Sequence, residues 1–142
     1  MTPRVRSKLD NAGLWNYAAR LLSGRALSIG ELSKKLAARA ENPADVDDVL
    51  SRLKQAHVLN DRHFADTYTA VRRDGSNFGK ARVLRELAHR QVPRLVAEAA
   101  VKDAYQDVDE VDHAIAFLKR KLRLADPAAH FAEPKNLQSA YR

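Results

Sequence analysis

Ser28-Ile29-Gly30-Glu31-Leu32-Ser33-Lys34-Lys35-Leu36-Ala37-Ala38-Arg39 aligns with Gly79-Lys80-Ala81-Arg82-Val83-Leu84-Arg85-Glu86-Leu87-Ala88-His89-Arg90. Leu32 falls on Val83, Leu36 on Leu87 and Arg39 on Arg90, at a constant offset of 51. After one loop slip the offset becomes 50, so that Pro43 meets Pro93 and Val46 meets Val96. A period of this length marks stacked supersecondary units that bury a shared core. Such arrays mostly bind other macromolecules, so an interaction protein is the first expectation.

Each unit reads as three helices. A first helix is expected over Leu14 to Leu22, with Gly24 as its stop. Ser28 with Glu31 three residues on has capping-box spacing, and Ile29, Leu32, Leu36 and Ala40 follow as one stripe. Pro43 suits a helix first turn. Asp45, Asp47 and Asp48 sit near the positive end of that helix's dipole, and Val46, Val49, Leu50 and Leu53 recur at amphipathic spacing.

Asp61 then caps a helix with Phe64, Tyr68 and Val71 inward, broken by Gly75-Ser76-Asn77. Lys80–Arg90 buries Val83, Leu84 and Leu87. Pro93 opens a helix with Leu95, Val96, Ala99 and Ala100 apolar. Asp107 to Arg123 carries Val108, Val111, Ile115, Leu118 and Leu122 as a stripe, acidic at its start and basic at its end. The basic end (Lys119, Arg120, Lys121, Arg123) is assigned to that dipole.

No segment alternates with period two. The expected fold is all-α: tandem three-helix repeats forming an elongated, curved helical array. Residues 1–13 are expected to form a flexible basic arm, 14–58 unit 1, 59–106 unit 2 and 107–142 an incomplete unit 3.

With 45% hydrophobic and 30% charged residues the 142-residue chain is expected to fold. It has no cysteine, which removes disulfides, thiolate metal sites and a cysteine nucleophile. No apolar run approaches membrane-spanning length and the basic N-terminus lacks the apolar stretch of a secretory signal; a cytoplasmic protein is expected. The formal net charge is +7. Residues 1–26 hold five Lys/Arg against Asp10, and residues 61–94 hold eight against four, flanking a neutral block. Such a surface meets phosphates or an acidic protein.

A catalytic reading finds little support. His57, His63, His89, His113 and His130 show no zinc-hydrolase spacing. The acidic run at 107–112 lacks calcium-loop ligand spacing. Gly75-Ser76-Asn77-Phe78-Gly79-Lys80 lacks the spacing and trailing hydroxyl of a phosphate loop. No enzyme, metal or cofactor is expected.

Three segments together carry a resemblance: Arg25-Ala26-Leu27-Ser28 with Glu31-Leu32 and Leu36; Leu53 through Ala65, with Leu59-Asn60-Asp61 and Phe64-Ala65; and Phe78-Gly79-Lys80-Ala81-Arg82-Val83-Leu84-Arg85-Glu86-Leu87. In this order and spacing the chain resembles the RecX regulatory family, bacterial modulators of the RecA recombinase, over roughly Leu14 to Leu122. The resemblance implies tandem three-helix units lying in the groove of the RecA–single-stranded-DNA filament. There they would restrain ATP hydrolysis, strand exchange and the co-protease activity of the SOS response. Family members usually carry glycine after the second helix of each unit, where this chain has Ala40-Glu41 and Gln91. Asn42 is read as a left-handed cap in the first case. The family's third unit normally extends further than the one here.

Candidate contacts for the filament or DNA are Arg72, Arg73, Lys80, Arg82 and Arg85, which bracket a turn and a helix start where backbone donors attract anions. Lys34, Lys35 and Arg39 occupy the equivalent helix of unit 1, and Arg25 and Arg90 complete the set. Single-stranded or duplex DNA could also meet this basic face, and a monomer is expected. Tyr17 and Tyr68 align across the repeat on apolar stripes and are assigned to the core with Phe64. The alternative function is a helix-turn-helix transcription regulator, since Ser28–Arg39 followed by Asp45–Ala56 imitates that motif.

Overall fold

The computed structural model describes residues 6–122. It contains α1 (Asn11–Gly24), α2 (Ile29–Ala37), α3 (Pro43–Gln55), α4 (Asp61–Gly75), α5 (Lys80–His89), α6 (Arg94–Ala104) and α7 (Glu110–Leu122). Among the described residues the only β pairing is one isolated bridge, Leu9 to Ala40. The all-α expectation and its three-helix periodicity hold.

Two hydrophobic clusters organise the chain. Leu14, Ala18, Leu32, Leu36, Val49 and Leu53 bind α1–α3 into one core. Phe64, Ala65, Val83, Leu87, Ala100 and Val101 bind α4–α6 into another. Stripe positions on the second helices match across the repeat: Leu32 and Val83, and Leu36 and Leu87, are all fully buried. Burying side chains of this kind stabilises each unit by roughly 1.5–3 kcal/mol per residue.

Local chemistry sets the helix ends. Ser28 and Glu31 close a complete capping box on α2. Asn42 caps α3 through Ala44 N–H with extended backbone, so it is not the left-handed cap expected. Asn60, rather than Asp61, caps α4 through His63 N–H at 3.0 Å. Asp109 accepts from Val111 and Asp112 N–H, which starts α7 three residues later than the periodicity suggests.

The second unit closes its middle helix without glycine. Gln91 takes φ 59°, and Val92 N–H returns to Leu87 O at 3.0 Å, a Schellman closure normally given to glycine. His57 does the same after α3 with φ 58°, where Val58 N–H reaches Leu53 O. At the end of α2 the solution differs. Leu9 N–H donates to Arg39 O at 2.6 Å and Glu41 N–H to Leu9 O at 2.9 Å, so an added extended segment satisfies those groups.

Over residues 7–13 the structure differs from the flexible arm expected. Ser7 O accepts from the Arg39 guanidinium, Lys8 Nζ donates to Ala38 O, and Asp10 caps a helix that already begins at Asn11. Residues 1–5 and 123–142, including Arg123 and the remainder of the expected third unit, lie outside the described residues.

Three apolar expectations also change. Val71 is 60% exposed, Leu95 80% and Val111 68%, although each lies on a periodic stripe. α4 and α6 each pack against two neighbouring helices, so the margins of their stripes stay open, and α7 has no buried residue at all. Tyr105, by contrast, is buried in the second core and its hydroxyl donates to Phe78 O. Helix α7 packs there too: Phe117 meets Phe78 edge-on and His113 meets Tyr105 edge-on.

Candidate functional site

The two units meet through a small polar junction built from helix termini. Ser28, the N-cap of α2, donates from its hydroxyl to Arg90 O at 2.5 Å, at the C-terminal end of α5. The C-terminal end of α5 therefore abuts the N-terminal end of α2, and the two dipoles meet favourably. Asp61, left free by Asn60 taking the cap, accepts from Ile29 N–H at 2.8 Å. Gly30 faces Gln91 so closely that a Cβ on it would lie 3.0 Å from both Gln91 Cβ and Gln91 O.

Arg90 is the centre of this junction. Its Nε donates to Glu31 Oε2 at 2.9 Å and its second terminal nitrogen to Ala26 O at 3.1 Å. The guanidinium also lies over Phe64 at 4.9 Å and Tyr68 at 5.7 Å. Arg25 approaches the same carboxylate more loosely, at 3.7 Å. Burial pushes the Glu31 carboxyl up; the Arg90 hydrogen bond, the Ser28 N–H and the charges of Arg90 and Arg25 outweigh it and hold the group below its ordinary value.

The same arrangement occurs in unit 1, where Arg39 lies over Tyr17 at 5.0 Å. Tyr17 and Tyr68 pack against the two cores, as read, but are only half-buried, and they serve as platforms for repeat-equivalent arginines. Phe64 is buried, as read. Trp15 is similarly roofed by Arg52, at 4.2 Å.

The ten basic residues singled out above separate into three groups. Arg90, Arg39 and Arg73 spend their donors inside the molecule, Arg73 on Ala104 O and Asp74. Arg72 rests on Tyr68 and faces Glu86 at 3.8 Å, Lys80 pairs with Glu110 at 3.3 Å, and Arg25 leans on Glu31. Lys34, Lys35, Arg82 and Arg85 point outward from exposed positions, and among the described residues none pairs with a carboxylate. Arg82 covers Phe78 at 3.5 Å.

Lys34 and Arg85 are repeat equivalents, and these four cations lie on α2 and α5, the helices joined end to end at the junction. Arg82 and Arg85 also border a shallow depression of about 380 Å³ with Tyr68, Glu86, His89 and Arg90.

A larger groove of about 930 Å³ opens between the units. Among the described residues no cluster of three or more His, Cys, Asp or Glu side chains is arranged to hold a metal ion, and no helix is long and apolar enough to cross a membrane. The interunit roles of Glu31, Asp61 and Arg90 are not apparent from the sequence. The one available signal was that Arg90 aligns with Arg39 while neither belongs to an apolar stripe.

Comparison with known proteins agrees with the repeat. Residues 15–53 match the family model described as RecX, first three-helix domain. The chain is 34% identical over 109 residues to the regulatory protein RecX of Herminiimonas arsenicoxydans, covering 76% of this chain and 69% of that protein. It is 32% identical over 111 residues to the regulatory protein RecX of Halorhodospira halophila, covering 78% of this chain and 67% of the relative. The crystal structure of RecX from Lactobacillus salivarius superposes with a TM-score of 0.72 at 19% identity, over 91% of this chain and 84% of that one. The last likeness concerns the fold alone.

Proposed function

The chain belongs to the RecX regulatory family, and from that premise we propose that it is a non-enzymatic, mostly negative modulator of the RecA recombinase. In this reading it binds in the groove of the RecA–single-stranded-DNA filament in the cytoplasm, as a monomer. It restrains ATP hydrolysis, strand exchange and SOS co-protease activity by bridging protomers.

One observation carries most weight: Lys34, Lys35, Arg82 and Arg85 project from two helices that meet end to end, without carboxylate partners among the described residues. Cations that are not neutralised internally remain free for phosphates or an acidic protein surface. Arg39, Arg73 and Arg90 serve this reading indirectly, by fixing the geometry from which the outer cations project.

The helix-turn-helix reading is less well supported. The helix that would enter a major groove, α3, exposes Asp47 and Asp48 in its first turns, where base-contacting residues belong. Carboxylates there would face the phosphate backbone.

Co-sedimentation of the protein with RecA filaments on single-stranded DNA tests the proposal. Retention in the pellet that depends on RecA, and falls with rising salt, supports it. Absence from the pellet at micromolar protein, or sequence-specific footprints on duplex DNA without RecA, would overturn it.

A further inference from the structure

The groove between the units has a composition that the basic face does not explain. Leu27 and Phe64 form its buried floor, while Val58 and Val71 stand on its lining at 57% and 60% exposure. Two β-branched side chains this exposed beside one concavity form an apolar patch rather than scattered surface residues. Around them stand Arg25, Arg72 and Arg90, and among the described residues no carboxylate lines the groove. Glu31 and Glu86, which neutralise part of this charge, reach those arginines from outside the lining. Arg25 keeps most of its side chain in solvent, at 62% exposure.

We infer that this groove receives a short segment of a partner protein in which apolar side chains are flanked by carboxylates. The apolar side chains would cover Val58, Val71 and the floor, and the carboxylates would meet Arg25 and Arg72. This is the helix-in-groove or extended-peptide mode of recognition, at a concavity of ordinary ligand-site size. Single-stranded nucleic acid fits less well. Binding of that kind needs free aromatic faces for base stacking, whereas Arg72 and Arg90 already cover Tyr68, and Arg90 covers Phe64. The groove is lined by Arg25 and Arg72 rather than by the outward cations of α2 and α5, and it adjoins their surface through Tyr68 and Arg90, which line both the groove and the depression beside Arg82 and Arg85.

The test is fluorescence anisotropy on the full chain with three labelled probes and no RecA. One is a short peptide with Leu at i, i+3, i+4 and i+7 and Glu elsewhere; the second has Lys for each Glu; the third is a short oligothymidylate. The Glu peptide is expected to bind saturably, the Lys peptide not to bind, and Val58→Asp and Val71→Asp each to weaken the Glu peptide by roughly tenfold or more. Both valines are exposed, and circular dichroism melts of the variants are expected to match the parent. No binding of the Glu peptide, equal binding of the Lys peptide, or binding untouched by either substitution would overturn the inference. So would oligothymidylate binding that Val71→Asp abolishes, since the groove would then be a nucleic-acid site.

Discussion

The Arg90 guanidinium lies 2.9 Å from the Glu31 carboxylate, so the residue that ends α5 in the second unit grips the capping box that begins α2 in the first. Both side chains are largely withdrawn from water. A charged hydrogen bond in such a setting contributes about 1.5–3 kcal/mol, and removing one partner strands the other. Arg90→Ala is therefore expected to cost about 2 kcal/mol in urea unfolding and to separate the two units into distinguishable transitions. Glu31→Gln is expected to cost similarly, with a double-mutant cycle showing the two losses to be strongly non-additive.

The same pair makes stability depend on pH. Glu31 titrates lower in the folded chain than in the unfolded one, because the Arg90 and Ser28 hydrogen bonds and nearby charges overcome its burial. Its contribution is then fully present above the unfolded carboxyl value and is lost as pH falls through the depressed folded value. Urea midpoints measured down an acid series are expected to fall more steeply for the parent than for Glu31→Gln. Tyr105 acts at the other extreme: burial raises its phenol, so its contribution is present below the ordinary phenol value and is lost as pH rises through the folded one.

Thr69 is wholly buried and its hydroxyl has no hydrogen-bond partner among the described residues. Such a group carries a desolvation cost that an apolar isostere avoids. Thr69→Val keeps the branched shape and is expected to raise unfolding stability by about 1 kcal/mol, read as a higher urea midpoint with an unchanged slope.

Left-handed closures at non-glycine residues give a paired expectation. His57 is exposed at φ 58°, and His57→Gly should stabilise by about 0.5–1 kcal/mol, the relief of backbone strain less the added chain entropy. Gly30→Ala should destabilise by about 1 kcal/mol, because its Cβ would press on Gln91 Cβ and the Gln91 carbonyl by more than the gain in helix propensity offsets. Thermal melts of the two variants are expected to shift in opposite directions.

What was legible in the sequence followed from periodicity. Leu32, Leu36, Val83 and Leu87 recur at helical spacing and at a fixed repeat offset, and all four are buried. The Ser28–Glu31 capping box is local chemistry and was equally readable. Contacts between distant termini were not. Nothing in local spacing places Asp61 against Ile29 N–H or Arg90 against Glu31, because both depend on how one unit seats on the other. Val71 and Leu95 misled for a related reason: a stripe shows which side of a helix is apolar, not how wide its neighbours are. The outward cations looked the same as Arg39, Arg73 and Arg90, since charge alone does not tell a surface contact from an internal clamp.

The most direct measurement is RecA-catalysed, single-stranded-DNA-dependent ATP hydrolysis with added protein, compared with a variant in which Lys34, Lys35, Arg82 and Arg85 are all changed to Glu. These positions are exposed, but Arg82 lies over Phe78 and Lys34 and Lys35 close α2, so the variant is expected to stay folded with a modestly lower melt, and circular dichroism at the assay temperature checks this. The parent should slow hydrolysis in a salt-sensitive manner, and the variant should lose most of that effect. A parent that leaves the rate unchanged at micromolar concentration, or a variant that slows it equally, would contradict the assignment of this surface to the filament.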